Sequence, residues 1–347
     1  MADDSRALRA GSSGTAGSSG TAGSSARAGD GTSGAARLVR AAKMVFDRGR
    51  LVVPDRAGGA FEPALLMAHA KLTLSLRVLG RRADGYHLLE SEMVTLDLAD
   101  VLQVEVGRGL AIVNELPDGR DLGDLPTDSK NLVGRALALA GREAAVRLVK
   151  RIPVGAGLGG GSADAAAILR WAGYGDLAVA ARLGSDVPFC ITGGRAQVGG
   201  AGELVEPLDF EDRSFVLLMP PFAMDTAAVF GQWDRMNGQS PPAAGGELAG
   251  EGARAADPAG GELAGEGGND LERAAIALAP QLAHWRDCLA DATGARPRLA
   301  GSGSTWFIEG ELEKMGLAGR EYLVMRGERA PLVQVRTFRP EEPLAGG

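Results

Sequence analysis

The chain has 347 residues, 45% of them hydrophobic, and a formal net charge of −7. That length admits two domains, the acidic balance argues against a general nucleic-acid binder, and no apolar run is long enough to span a bilayer. Its two cysteines, Cys190 and Cys288, exclude a disulfide scaffold and point to a reduced, cytoplasmic protein, and with three histidines they give no zinc-ligand spacing.

In chain order, residues 1–63 read as a low-complexity, disordered extension. "GSSGTA" occurs at Gly11 and again at Gly17, in a Gly/Ser/Ala/Thr tract that cannot bury enough surface to fold. "AARLVRAAKMVF" is compatible with a short basic amphipathic helix, but Asp3, Asp4 and Asp30 fit a transit peptide poorly. An over-extended start, with Met67 as initiator just before the first strand, is the simpler expectation.

"KLTLSLRVLG" alternates, with Leu72, Leu74 and Leu76 on one side and Lys71, Thr73 and Ser75 on the other, as a half-buried strand does. "MVTLDL" (93–98) and "VLQVEV" (101–106) read as two further strands. "SKNLVGRALALAGREA" has helical apolar spacing from Leu132, "AVRLVKRI" returns to a strand, and "SADAAAILRWAG" is a helix with Ser162 near its start and Gly173 near its stop. "FVLLMPP" and "YLVMRG" supply later strands, while 238–268, with "GGELAGEG" at Gly245 and again at Gly260, reads as a disordered acidic insertion. Strands and helices alternate without a regular βαβ repeat, so the expected class is α+β, with helices packed on one face of the sheets.

The most informative stretch is "GAGLGGGSADAAA" (155–167). A Walker A loop needs a lysine where Gly161 stands, so that reading fails. Gly155, Gly157 and Gly160 match a dinucleotide fingerprint, with Asp176 near the distance of a ribose contact, but no second hydrophobic strand leads to that acid. What remains is a phosphate cradle of backbone N–H groups at a helix N-terminus, with Ser162 offering its hydroxyl to a phosphate or a magnesium ion. A plain turn with Ser162 as N-cap explains one or two glycines, not "GLGGGS".

"PVGAGLGGGSADAA" (153–166) resembles the second signature of the GHMP small-molecule kinases. "AKLTLSLRVLGRRADGYHLLES", "LGSDVPF" (183–189) and "LAGSGSTWF" (299–307) narrow the resemblance to the branch acting on a cytidine-diphosphate-linked methylerythritol, from about Leu66 to Phe338. The resemblance implies ATP and Mg²⁺, a small-molecule substrate, and no nucleic-acid or membrane partner. It also implies the GHMP kinase fold: a domain like ribosomal protein S5 domain 2 over 64–205 and a ferredoxin-like domain over 206–340, with the active site in the cleft between them.

The same resemblance assigns site residues. Asp186 is the catalytic base or orienter and Lys71 the cation beside it, although on residue type alone they read as a turn aspartate and a solvated strand lysine. ATP falls to Pro153, Val154, Gly155, Ala156, Gly157, Leu158, Gly159, Gly160, Gly161, Ser162 and Ala163, with Asn131 and Asp164 near the nucleotide. Tyr86 and His87 of "DGYH", with Thr226 and Phe230 of "MDTAAVF", are expected around the cytosine, and Thr73 and Gly303 near the substrate. His69 and Thr73 stand where that branch usually has proline and asparagine, and Ser304 and Thr305 also differ from its commoner residues. A GHMP kinase for another small alcohol, such as homoserine or mevalonate, is disfavoured by "DGYH", and a non-enzymatic sensor by the presence of both Lys71 and Asp186.

Overall fold

The computed structural model describes residues 63–339, except 118, 122, 124 and 239–267, together with 46–47 and 50–51. The sequence expectations for the low-complexity tract and the acidic insertion lie outside the described residues, apart from the short pair β1 (Phe46–Asp47) and β2 (Arg50–Leu51) and the edge residues 63, 238 and 268.

Two long strands organise the molecule. β3 (Ala64–Arg81) and β4 (His87–Glu105) form an antiparallel hairpin whose turn carries "DGYH". The two strands expected at 93–98 and 101–106 are thus one continuous strand, and Met67 lies inside β3 rather than before it. β4 is long enough to pair with β6 (Ala145–Lys150) along its second half and β7 (Arg195–Gly200) along its first. β5 (Gly109–Asn114) and β8 (Leu204–Leu208) complete a six-stranded sheet in the order β5-β6-β4-β7-β8, with β3 also on β4. A second sheet has the order β10-β11-β9-β13-β12, from β9 (Ser214–Leu218), β10 (Arg298–Leu299), β11 (Trp306–Glu309), β12 (Tyr322–Met325) and β13 (Glu328–Arg336). No helix among the described residues is long and apolar enough to cross a membrane.

The helices α1 (Leu132–Leu139), α2 (Gly160–Trp171), α3 (Leu177–Ala180) and α4 (Val187–Thr192) go with the first sheet. The alanines of α2 are small enough to bring it close: Ala163 and Ala165–Leu169 are buried with Met93, Leu102 and Leu148. α5 (Thr226–Met236), α6 (Glu272–Leu278) and α7 (Gln281–Thr293) go with the second sheet, over a core holding Trp285, Trp306 and Leu218. A third cluster joins the sheets, with Leu72, Leu74, Val94 and Leu96 against Phe215, Leu217 and Phe307.

That third cluster corrects the reading of β3 as half solvated. Its apolar face is covered by the second sheet, and its polar face is covered too: Lys71 is 4% exposed and Thr73 1%. Register shifts between His69 and Lys71, and between Thr73 and Ser75, break strict alternation in the same segment.

Candidate active site

The glycine loop runs between β3 and the segments that precede α5 and β11. Lys71 N–H donates to Leu158 O at 3.0 Å, Met224 N–H to Gly155 O at 2.8 Å, and Thr305 N–H to Ala156 O at 3.2 Å. Held from both sides, the loop has no room for a side chain at two of its glycines. At Gly157 (φ +78°) a Cβ would stand 2.0 Å from Ala300 O, and at Gly159 (φ +69°) 2.7 Å from Lys71 Cγ. These glycines are demanded by packing as well as by backbone conformation.

Gly159, not Ser162, is the N-cap of α2. The first intrahelical bond is Ala163 N–H to Gly159 O, so the N–H groups of Gly160, Gly161 and Ser162 come before it, at the positive end of the helix. Ser162 sits in the first turn with its hydroxyl free of the cap role. The helix end opens on a cleft of about 800 Å³, a normal size for a small-molecule site.

Asp186 occupies the N-cap position of α4 but makes no capping hydrogen bond. Its carboxylate instead lies 3.3 Å from Lys71 Nζ, with the aspartate side chain 28% exposed and the lysine 6%. Lys71 Nζ also donates to Thr73 Oγ1 at 2.9 Å, so Thr73 anchors the lysine from the same strand. A carboxylate held beside a desolvated cation and open on one side can accept a proton from a hydroxyl in the cleft.

Behind the helix lies an ion triad that sequence reasoning found only in part. Lys150 Nζ bonds to Asp164 Oδ2 at 2.8 Å and also to Asp100 Oδ2, and all three side chains are buried. Asp100 is further held by the N–H groups of Arg151 (2.5 Å) and Ile152 (2.8 Å). Asp164 accepts from the lysine through Oδ2, while its Oδ1 finds no hydrogen-bond partner among the described residues. Burial therefore raises the Asp164 pKa, an effect that Lys150 offsets only in part. Burial also opposes the charge on Lys150, but Asp164 and Asp100 outweigh it and its pKa rises. The one sequence signal for Asp100 was a carboxylate inside the apolar run "LDLADVL".

At the far end of the cleft, Tyr86 is 53% exposed on the hairpin turn. His87 stacks on Phe230, with centroids 4.6 Å apart and planes at 24°, so that ring is engaged with a neighbour rather than standing free. His87 Nε2 lies 2.7 Å from Asp234 Oδ1, and Arg81 Nη1 donates to Asp234 Oδ2 at 3.2 Å. Asp234 and Arg81 were not anticipated.

The other expected residues distribute as follows. Thr226 opens α5 and its hydroxyl meets Ser302 Oγ at 2.8 Å. Asn131 lines the cleft, but its side chain caps α1, accepting from Val133 N–H and donating to Pro126 O. Pro153, Val154, Ala156 and Asp164 border the cleft, whereas Leu158 and Ala163 are buried in cores. Gly301 and Ser302 line the cleft; Gly303 lies behind them, where a Cβ would press on Leu299 at 3.2 Å. Asp176 caps α3 through Val179 N–H, which agrees with rejecting it as a ribose ligand.

Comparison with known proteins gives both a family model and full-length relatives. The GHMP kinases N terminal domain matches residues 131–194, from the α1 cap through the glycine loop and Asp186 to the end of α4. The 4-diphosphocytidyl-2-C-methyl-D-erythritol kinase of Paracoccus denitrificans is 39% identical over 242 residues, covering 69% of this chain and 84% of that protein. The enzyme of the same name from Pelotomaculum thermopropionicum is 36% identical over 295 residues, 79% and 98% of the respective chains. A crystal structure of 4-(cytidine 5'-diphospho)-2C-methyl-D-erythritol kinase superposes with a TM-score of 0.55 at 30% identity, covering 79% of this chain and all of that one. With identity at this level over most of each relative's length, and the glycine loop and Lys71–Asp186 pair assembled on one cleft, the chain belongs to the 4-diphosphocytidyl-2-C-methyl-D-erythritol kinase family of GHMP kinases.

Proposed function

We infer that the chain transfers the γ-phosphoryl group of ATP to the 2-hydroxyl of 4-diphosphocytidyl-2-C-methyl-D-erythritol, forming the 2-phosphate and ADP for isoprenoid precursor synthesis. The observation that carries this reading is Asp186, spared from capping and set 3.3 Å from Lys71 Nζ. Both residues line the same cleft as the free end of α2.

In this reading the N–H groups of Gly160–Ser162 hold the ATP phosphates, with Gly155–Gly159 letting them approach. Asp186 accepts the proton of the 2-hydroxyl as its oxygen bonds to the γ-phosphorus and the bond to the β,γ-bridging oxygen breaks. Lys71 holds the carboxylate in place and offsets charge near the transferred group. Among the described residues no cluster of three or more His, Cys, Asp or Glu could hold a metal by itself. The oxygen donors present, the Ser162 hydroxyl and the Asp186 carboxylate, suit Mg²⁺ held mainly through ATP phosphates, where it would neutralise their charge. Tyr86, His87, Phe230 and Thr226 receive the cytidine end.

We further propose the division into an S5-like domain from 64 and a ferredoxin-like domain to 340. Its boundary is better put after β8, which runs across 205–206 to Leu208. Free Cys190 and Cys288 suit a reducing cytoplasm.

The test is ADP release measured with the cytidylated alcohol, homoserine and mevalonate in parallel. Turnover should appear with the first alone. Equal or better turnover with either other alcohol overturns the substrate assignment, and ADP release with none of the three removes the kinase reading.

A further inference from the structure

We propose that Asp234 is a positioning residue that fixes the ring tautomer of His87, and through it makes the site select cytosine over uracil. The inference rests on the reading of Tyr86, His87 and Phe230 as the cytidine end of the cleft.

Asp234 is buried, at 7% exposed, and sits on α5 one turn beyond Phe230. Arg81 Nη1 takes its Oδ2 at 3.2 Å, and Arg81 Nε is tied to Gly85 O at 3.0 Å on the hairpin turn. A carboxylate paired to a guanidinium is an acceptor only. Its other oxygen lies 2.7 Å from His87 Nε2, so that nitrogen must carry the hydrogen. In its neutral form the ring then presents Nδ1 as a bare lone pair, for which the described residues provide no partner. The ring cannot turn away, because Phe230 stacks on its face at 4.6 Å and Trp233 meets it edge-on at 5.9 Å.

A lone pair fixed at the cleft wall accepts from an exocyclic amino group and repels a carbonyl oxygen. Cytosine offers an amino group at its 4-position, and uracil an oxygen. The two bases have the same outline, so stacking on Tyr86 cannot separate them and the hydrogen-bond polarity must. The carboxylate sets that polarity without touching the base.

The experiment uses the full chain and two probes, CDP and UDP, titrated calorimetrically. The wild type should bind CDP at least about tenfold more tightly, the scale of one hydrogen bond made against one refused. Asp234→Asn, whose carboxamide can keep its oxygen on Arg81 and turn an N–H towards Nε2, should lose that preference. Asp234→Glu should retain most of it. With the cytidylated substrate, Asp234→Asn should raise KM while kcat is held. Nitrogen-15 spectra of His87 in the unmutated chain should show Nε2 protonated and Nδ1 bare.

A protonated Nδ1 and bare Nε2 in the neutral wild-type ring overturns the proposal whether or not any variant folds. So does an unchanged CDP-to-UDP ratio in folded Asp234→Asn while His87→Ala weakens CDP; the cytidine site then stands and only the role of Asp234 falls. If His87→Ala leaves CDP binding untouched, the underlying reading of this end of the cleft fails instead.

Discussion

Gly159 lies directly against Lys71, so that a methyl group on the glycine would stand 2.7 Å from Lys71 Cγ and 3.1 Å from its Cε. The expectation that this glycine is bare for the sake of phosphate approach is therefore incomplete: it also keeps the lysine's channel open. Gly159→Ala should push Lys71 off Asp186 and Thr73, lowering turnover as truncation of the lysine does. The left-handed φ adds a stability cost of about 1–2 kcal/mol, readable by denaturant unfolding. Normal turnover in the folded variant would show that the lysine can yield without loss.

Lys71 and Asp186 should behave as a unit. Asp186→Asn removes the proton acceptor and Lys71→Met the charge paired with it, and each should depress kcat by roughly 10²-fold or more. The double variant should lose far less than the product of the two. Single-turnover phosphoryl transfer is the appropriate readout, and full additivity would separate the two roles.

His69 carries an acid-stability signature. Burial lowers its pKa from 6.5 to about 4, with its Nδ1 on Leu96 O at 3.0 Å and its ring stacked on Phe338 at 3.9 Å. The folded state thus prefers the neutral ring, and the unfolded chain binds a proton first as pH falls. Stability from this group is held above pH 6.5 and lost between 6.5 and about 4, an amount of about 3 kcal/mol at most. His69→Gln should flatten that part of the unfolding free energy against pH. An unchanged slope would mean that the folded ring protonates freely.

Asp164 should act in the opposite sense. Its pKa is raised by burial, from 3.8 to about 7, so the folded state holds a proton that the unfolded chain releases. Its contribution is fully present below pH 3.8 and is lost as pH rises towards about 7. Asp164→Asn should remove this loss, leaving the variant more stable relative to wild type at pH 8 than at pH 4. A constant difference across that range would mean that Asp164 stays ionised throughout, with Lys150 fully compensating it.

The sequence by itself determined the local elements and the residue types at the reacting centre. "GLGGGS" needs bare backbone wherever it is placed, "DGYH" makes a tight turn, and the alanines after Ser162 form a closely packed helix; these are short-range consequences of side-chain size and backbone freedom. It also determined the kinase family, through four separated motifs that no local rule would bring together by chance. What only the tertiary structure decided was which polar groups lose water and which find partners. Alternation in β3 distinguished two faces but not what covers each one, and Lys71 is covered by the glycine loop while Gly301 approaches Thr73, both from far along the chain. Whether Asp186 caps its helix or stays free depends on a lysine from another strand. The pairing of Asp100 and Asp164 with Lys150, and of Arg81 and His87 with Asp234, follows from contacts between distant segments, because desolvation and ion pairing act through space and leave no period in the sequence.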